Sequence, residues 1–451
     1  MIEGILIGLE TAFSIKNLMM VMIGCFAGTI IGMLPGLGPM TAIALMIPIT
    51  YGFEPSTGLI LMAGVYYGAV FGGSTSSILI NAPGIPGTVA TSFDGYPMAQ
   101  QGKAGKALAI AAYSSFAGGT IAAVFLLIAA PSLSKVSLAF RSPDYFGLMI
   151  LGLTAVSAFS AKGHFLKAMM MVVLGLMLAS VGQDTLSDIP RFTFQNMNLS
   201  DGISFVLVVM ATFAMSEALT IIFKANDPTR VAKQISLSQL GSIKLDKDET
   251  KKMVKTIPRS SVLGFIIGVL PGAGSTIASF LAYGMERNFV NDEEKQKFGK
   301  GSVNGLAAPE TANNAACSGS FVPLLTLGIP GSGTTAVMLG ALLGFGIQPG
   351  PRLYQTNPEI FWSVIMSMYI GMVILLILNL PLIPYIARVL ATPRTFLIPL
   401  ILFFSVTGIY LMSFNNFDIF LMIGIAVVAT ILRLYDFPMP PLILAFVLGG
   451  L

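Results

Sequence analysis

One carboxyl stands apart in this chain. Glu310 lies in the run Pro309-Glu310-Thr311-Ala312-Asn313-Asn314-Ala315, and no Lys or Arg occurs from residue 301 to residue 351. A carboxyl inside an apolar segment is costly unless a counter-charge, a proton or a cation accompanies it. The paired amides beside it can donate to an anion through nitrogen or hold a hard cation through oxygen. Ser74, Thr75, Ser76, Ser77 and Asn81 form a second polar cluster, and Ser275, Ser318, Ser320, Ser332 and Thr334 add hydroxyls further along. This is chemistry for reversible binding of ions. It is not catalytic chemistry, because no acid pair, Ser/His set or His-Glu-x-x-His motif falls in an apolar span. The single histidine, His164, sits in a short loop with Lys162 and Lys167 and reads as solvated. Cys25 and Cys317 stand far from any partner, which argues against a disulfide framework or a structural metal.

The elements that hold these residues are helix breakers, and they are repeated. Residues 28–45 (GTIIGMLPGLGPMTAIAL) and 264–281 (GFIIGVLPGAGSTIASFL) are identical at ten of eighteen positions without a gap, 236 residues apart. The shared tip is Leu-Pro-Gly-X-Gly, which places Gly36 and Gly38 in one half and Gly272 and Gly274 in the other. A second breaker, Gly-Ile-Pro-Gly, occurs at 84–87 and 328–331, 244 residues apart. Aligned on it, Ser74 pairs with Ser318, Ser76 with Ser320 and Thr91 with Thr335. Repeated breakers inside apolar segments mark a carrier built from two halves, with its site at unwound helices. Backbone freed by such breaks cannot face lipid, so it must be buried in protein or line a wet cavity.

Composition sets the setting. The chain is 55% hydrophobic and 10% charged, with mean hydropathy +0.82. Apolar windows long enough, with tilt or flanking residues, to cross a bilayer lie at 107–130, 144–160, 164–181, 204–223, 359–385, 395–412, 417–432 and 438–451. The net charge of +4 leaves no nucleic-acid footprint. The N-terminal stretch carries Glu3 and Glu10 and does not read as a cleaved signal. Basic loops favour the cytoplasm. That rule places 94–106, Lys162 to Lys167, 224–259, 287–300, 386–394 and Arg433 inside. It places Glu54, 131–143, 183–203, 347–358 and 415–418 outside, with Lys135 and Arg141 dissenting. The second breaker then exits on opposite sides in the two halves, so the halves are inverted. Hairpin arms of about 13 residues rise only about 20 Å, short of a hydrocarbon core about 30 Å thick. Residues 17–50 and 259–286 are therefore expected to be re-entrant hairpins entering from opposite faces. The expected division is a first membrane repeat 1–223, a cytoplasmic connector 224–258 without catalytic content, and a second repeat 259–451.

The two tips, the stretch Tyr66–Gly87 and the run Pro309–Ala315 resemble the large membrane subunit of the tripartite tricarboxylate transporter family, over nearly the whole chain. The resemblance implies a bacterial inner-membrane protein working with a small membrane subunit and a periplasmic solute-binding protein. It also implies uptake of di- or tricarboxylates driven by a proton or sodium gradient. Physical chemistry agrees on coupling. Two helix N-termini supply about one positive unit between them, whereas citrate carries up to three negative charges. Co-transported H⁺ or Na⁺ must make up the difference, and unwound carbonyls at the breaks suit Na⁺.

The expected fold is an all-α integral membrane protein with two inverted-topology repeats, re-entrant hairpins and broken helices. The candidate substrate residues are Gly36, Gly38, Ser74, Thr75, Ser76, Asn81, Gly272, Gly274, Ser275, Asn313, Asn314, Ser318, Ser332 and Thr334. Glu310 is the candidate coupling residue, with capping of a helix that opens after Pro309 as its other reading. Glu217 reads as snorkelling to the interface, and Tyr66 and Tyr67 either line the path or pack. No cofactor is expected. The other functions of the same build are a carrier of aromatic or other organic acids, and, in a different class, an ion channel with the breaks as its filter.

Overall fold

The computed structural model describes the whole chain except residues 1, 35–36, 140–141, 159–164, 185–188, 224–240, 273, 387–393 and 450–451. Pro35, Gly36, Lys162, His164, Asp188 and Arg388 thus lie outside the described residues, as does half of the expected connector.

The first half runs α1 (Ile2–Ala12), α2 (Ile15–Met33), α3 (Gly38–Thr50), α4 (Pro55–Ile80), α5 (Val89–Met98), α6 (Ala104–Ser137), α7 (Ser142–Ala158), α8 (Phe165–Ala179), α9 (Phe205–Val209), a π-helical stretch Met210–Met215, and α10 (Ser216–Phe223). The second runs α11 (Lys247–Val269), α12 (Gly274–Phe289), α13 (Asp292–Lys295), α14 (Val303–Gly319), α15 (Phe321–Leu327), α16 (Gly333–Gly344), α17 (Leu353–Thr356), α18 (Pro358–Asn379), α19 (Ile383–Ile386), α20 (Arg394–Ser413), α21 (Asn416–Leu434) and α22 (Pro440–Gly449). Two two-residue strands, Gly182–Gln183 and Pro190–Arg191, pair antiparallel in the loop after α8. Among the described residues six helical segments are long and apolar enough to cross a membrane, and the fold is that of an all-α membrane protein.

Small residues set the closest packing. Gly24, Gly28 and Gly32 face the carbonyls of Leu61, Val65 and Ala69, while Gly64, Gly68 and Gly72 face α2 in return. The two glycine ladders let α2 and α4 run side by side in the same direction, as small residues at every fourth position do in membranes. The second half repeats the device, with Gly264 and Gly268 against Ala312 and Ala316, and Gly319 against the Phe265 carbonyl. Beyond Ala69, α4 continues to Ile80, so the α2–α3 hairpin turns well short of the end of its neighbour.

These contacts correct the register of the repeat. The tips match 236 residues apart, but the helices that follow match at 247 (72 and 319, 84 and 331). Gly84 rests on the Gly32 carbonyl, and Gly331 rests on the Gly268 carbonyl. Asn81 at φ 50° ends α4 with its N–H on Ser76, and Gly328 at φ 68° ends α15 with its N–H on Pro323. The true equivalence is therefore Asn-Ala-Pro-Gly (81–84) with Gly-Ile-Pro-Gly (328–331). Sequence identity caught the wrong Gly-Ile-Pro-Gly because asparagine can fill the left-handed position that ends a helix.

Three further expectations change. α2 has 19 residues and α12 has 16, longer than the arms of about 13 read from sequence. α11 begins at Lys247, where Asp246 and Glu249 form a capping box, and it runs through the 258/259 boundary. α14 begins at Val303 with Ser302 as its cap and passes through Pro309, so Glu310 is inside a helix and caps nothing.

Candidate functional site

Glu310 is fully buried where three helices of the other half converge. Ser74 of α4 and Ser115 of α6 donate to its Oε2 at 2.7 and 2.8 Å, and Thr91 of α5 donates to its Oε1. No basic side chain pairs with it among the described residues. Three hydroxyls solvate the carboxyl, but none supplies charge, so its charge must be met by a bound proton or cation. At the 247-residue spacing its counterpart is Ala63, so this acid belongs to one half alone.

One turn on, Asn313 is fully buried, and neither its Oδ1 nor its Nδ2 has a hydrogen-bond partner among the described residues. Such a group costs roughly 1–3 kcal/mol when left unmade, so water or a bound group has to complete it. Asn313 Oδ1 lies against Gly87, where any Cβ would collide with it. Ser275 Oγ, at the start of α12, would stand 3.0 Å from that same Cβ. Gly87 thus lets a breaker of one half, a hairpin tip of the other and the orphan amide meet. Asn314 donates to the Glu310 carbonyl at 3.0 Å and leaves its Oδ1 free.

Across the repeat, Asn313 and Asn314 correspond to Tyr66 and Tyr67. The Tyr67 hydroxyl bonds Ser318 at 2.8 Å, and its ring stacks on Phe321 with centroids 6.2 Å apart. The Tyr66 hydroxyl lies 3.5 Å from Ser332, which caps α16 through the Thr335 N–H. Both tyrosines therefore pack and also reach polar groups of the second half.

Of the residues read from sequence, Ser74 and Asn314 bond Glu310, Asn313 and Ser275 meet at Gly87, and Ser318 and Ser332 reach Tyr67 and Tyr66. Thr75, Ser76 and Thr334 are buried on the flanking helices, with Ser76 bonded to the Gly73 carbonyl at 3.1 Å. Asn81 is exposed and serves as a helix terminator, apart from the buried set. Gly38 and Gly274 adopt φ 58° and 63° with open space beyond them. Gly272, at φ 80°, donates its N–H to Gly331 at 3.1 Å, tying tip to breaker.

Several residues escaped the sequence reading. Ser115 was signalled only by the Ser114-Ser115 pair inside the window 107–130. Asp94 Oδ1 accepts from the backbone N–H groups of Gly299, Gly301 and Ser302 at 2.7–2.9 Å, joining α5 to the start of α14. Glu286, fully buried, receives Arg259 Nε at 2.6 Å, Thr256 and Asn304. Glu217 does not snorkel; it pairs with Arg433, whose Nη2 also reaches the Thr212 carbonyl at 2.9 Å.

The family model described as the tripartite tricarboxylate transporter TctA family matches residues 18–444. A protein of Agrobacterium vitis, "Uncharacterized 52.8 kDa protein in TAR-I ttuC' 3'region", is 42% identical over all 451 residues and 88% of its own length. A second from that organism, "Uncharacterized protein in TAR-II ttuC' 3'region", is 43% identical over 188 residues, 42% of this chain and 77% of its own. No solved structure matches.

Proposed function

Because this chain belongs to the tripartite tricarboxylate transporter TctA family, we propose that it is the carrier subunit of a cation-coupled uptake system for a small di- or tricarboxylate. Membership makes it a transporter component, with partner subunits and a bilayer around it, and not an enzyme. The partners we assign are a small membrane subunit and a periplasmic solute-binding protein, and the location is the bacterial inner membrane. The observation that carries the reading is the buried pair of Glu310 and Asn313: an acid with no basic side chain on it and an amide with no hydrogen-bond partner among the described residues, where a breaker and a tip from opposite halves meet. Asn313 Nδ2, Ser275 and the N-termini of α12 and α16 suit a carboxylate. Glu310 suits the co-transported H⁺ or Na⁺.

The inverted arrangement is part of the proposal. Contacts between distant loops support it, because they join loops that the charge rule puts on one side. Lys106 meets Glu249 at 2.9 Å, Lys252 meets Glu294 at 2.8 Å, and Lys167 meets the Tyr435 carbonyl at 2.7 Å, all inside. Asn415 meets Asn198 at 2.9 Å and Ser56 meets Glu359 at 3.4 Å, all outside.

The test is uptake into proteoliposomes holding the chain and its partner subunits, across a panel of carboxylates, with Na⁺ and pH gradients imposed separately. Saturable uptake of at least one carboxylate under one gradient is expected. Uptake of none of them under either gradient refutes the proposal.

A further inference from the structure

Packing divides this molecule differently from its repeats. One body gathers α1, α2, α4, α5, α6, α11, α12, α14, α15 and α18, and it holds the whole polar cluster around Glu310. The other gathers α7 to α10 and α20 to α22, with α8 on α22 and α21 on α10 and the π-helical stretch. Each body takes helices from both halves. The chain passes between them after α6, after α10 and after α19.

Close packing between the bodies falls on two helices, α3 and α16. α3 lies on α9, α20 and the π-helical stretch, and α16 lies on α9 and α22. Thr41 Oγ1 donates to the Phe213 carbonyl at 3.5 Å, and the Phe205 ring covers Gly340. A Cβ on Gly408 would stand 3.1 Å from that of Pro48. The seam is made of small, aliphatic and aromatic side chains; α3 and α16 carry no charged residue. The ion pairs that the structure describes fall inside one body or the other. At its outer end the seam opens into a cavity of about 510 Å³ between Tyr51, Gly340 and Gly344 of one body and Gly182, Phe205 and Phe446 of the other.

The repeat counterparts of α3 and α16 are α12 and the segment from Pro86 through α5. They pack on each other and on α4, α11 and α14, and they make no comparable seam with the second body. α3 is buried along nearly its whole length, whereas α12 leaves Phe280, Leu281 and Gly284 exposed. A pair of related repeats thus presents two like faces, of which one is docked.

We propose that the site-bearing body slides as a unit along the second body, exchanging the α3–α16 seam for an equivalent α12–α5 seam, and that this structure holds the state with the site-bearing body displaced toward the cytoplasm. The side assignment rests on the inverted topology proposed above. A site carried inside a moving body explains why the polar cluster around Glu310 takes its side chains from that body alone. It also explains why the seam is greasy and nearly free of hydrogen bonds, since two discrete dockings need a shallow contact and not a latched one.

The test ties the bodies together. In the Pro48→Cys/Gly408→Cys variant of the full chain, assembled with its partner subunits, the 3.1 Å between Cβ atoms falls just short of the usual disulfide range of about 3.5–4.5 Å, a gap that a small opening of the seam closes. Oxidation is expected to cut uptake at least tenfold, and reductant to restore it. A control ties one body to itself: a Cβ on Gly371 lies 3.5 Å from the native Cys25 Sγ, so oxidised Gly371→Cys should keep uptake within twofold. Full uptake by the oxidised inter-body pair overturns the sliding inference. The reduced protein reports separately on whether the chain is a carrier at all. Should the paired variant fail to fold, Gly284→Cys gives a second measure, because nothing covers that position. Its labelling by a thiol reagent should slow at least threefold during turnover, and a rate unchanged by turnover overturns the inference.

Discussion

Replacing Glu310 by glutamine separates charge from shape. The carboxyl takes two hydroxyls on one oxygen and one on the other. A glutamine can keep its carbonyl oxygen toward Ser74 and Ser115 and turn its NH₂ toward Thr91, which need only rotate its hydroxyl to accept. It therefore imitates the protonated acid at the same volume, and each neutral bond it keeps is worth about 0.5–1.5 kcal/mol. The variant should lose no more than about 1 kcal/mol of stability. Alanine differs sharply. It strands the Thr91 and Ser115 hydroxyls at roughly 1–3 kcal/mol each, Ser74 keeping the Val70 carbonyl at 3.3 Å, and leaves a cavity besides, a loss comparable with the roughly 5–15 kcal/mol that holds a folded protein together. Glu310→Ala should therefore fail to accumulate as folded protein, while Glu310→Gln should melt near the parent. In proteoliposomes, Glu310→Gln should not concentrate substrate under an ion gradient. Exchange of labelled for unlabelled substrate should survive if the acid carries a proton, because exchange need not release it. Normal gradient-driven accumulation by Glu310→Gln would refute the coupling role.

The other expectations are shorter. Asn313→Leu removes an amide with no partner in the fold, so thermal stability should hold or rise while KM for uptake rises at least tenfold; unchanged KM removes Asn313 from the site. Gly28→Ala and Gly268→Ala push a methyl into the carbonyls of Val65 and Ala316 and should each cost roughly 1–3 kcal/mol. Gly424→Ala, with nothing near it on α21, should be neutral or stabilising by up to about 1 kcal/mol in the same thermal melt. Cysteines at 103 and 252 should label from the cytoplasm and at 190 and 352 from the periplasm. Arg352 is the better probe there because the neighbouring Leu353 is buried, and labelling of 103 and 352 from one side contradicts the inversion.

Much of this was legible in the chain because breakers act locally. Leu-Pro-Gly-X-Gly stops a helix wherever it stands, so the tips, their repetition and the helices on either side could be read from spacing. The glycines at 28, 32, 264 and 268 were visible too, though only the structure shows that they press on carbonyls of α4 and α14. Register was harder. Asn81 and Gly328 do one job with two residue types, and identity alone aligned the neighbouring glycines three residues off. Glu310 read as a potential cap because Pro309 often opens a helix, whereas Ser302 had already opened this one. Ser115 and Thr91 were missed as partners because their link to Glu310 spans 195 and 219 residues. The two-body packing was invisible for the same reason, since each body mixes helices from both halves.

As the carrier proposed above, this chain couples a carboxylate to an ion gradient across a membrane. The direct measurement is the steady-state ratio of inside to outside substrate in proteoliposomes holding the chain with its partner subunits, taken at a series of imposed gradients. A ratio above one that grows with the gradient and collapses when an ionophore removes it is expected. A ratio that stays at one whatever the gradient, with flux that never saturates, would contradict it and leave a channel.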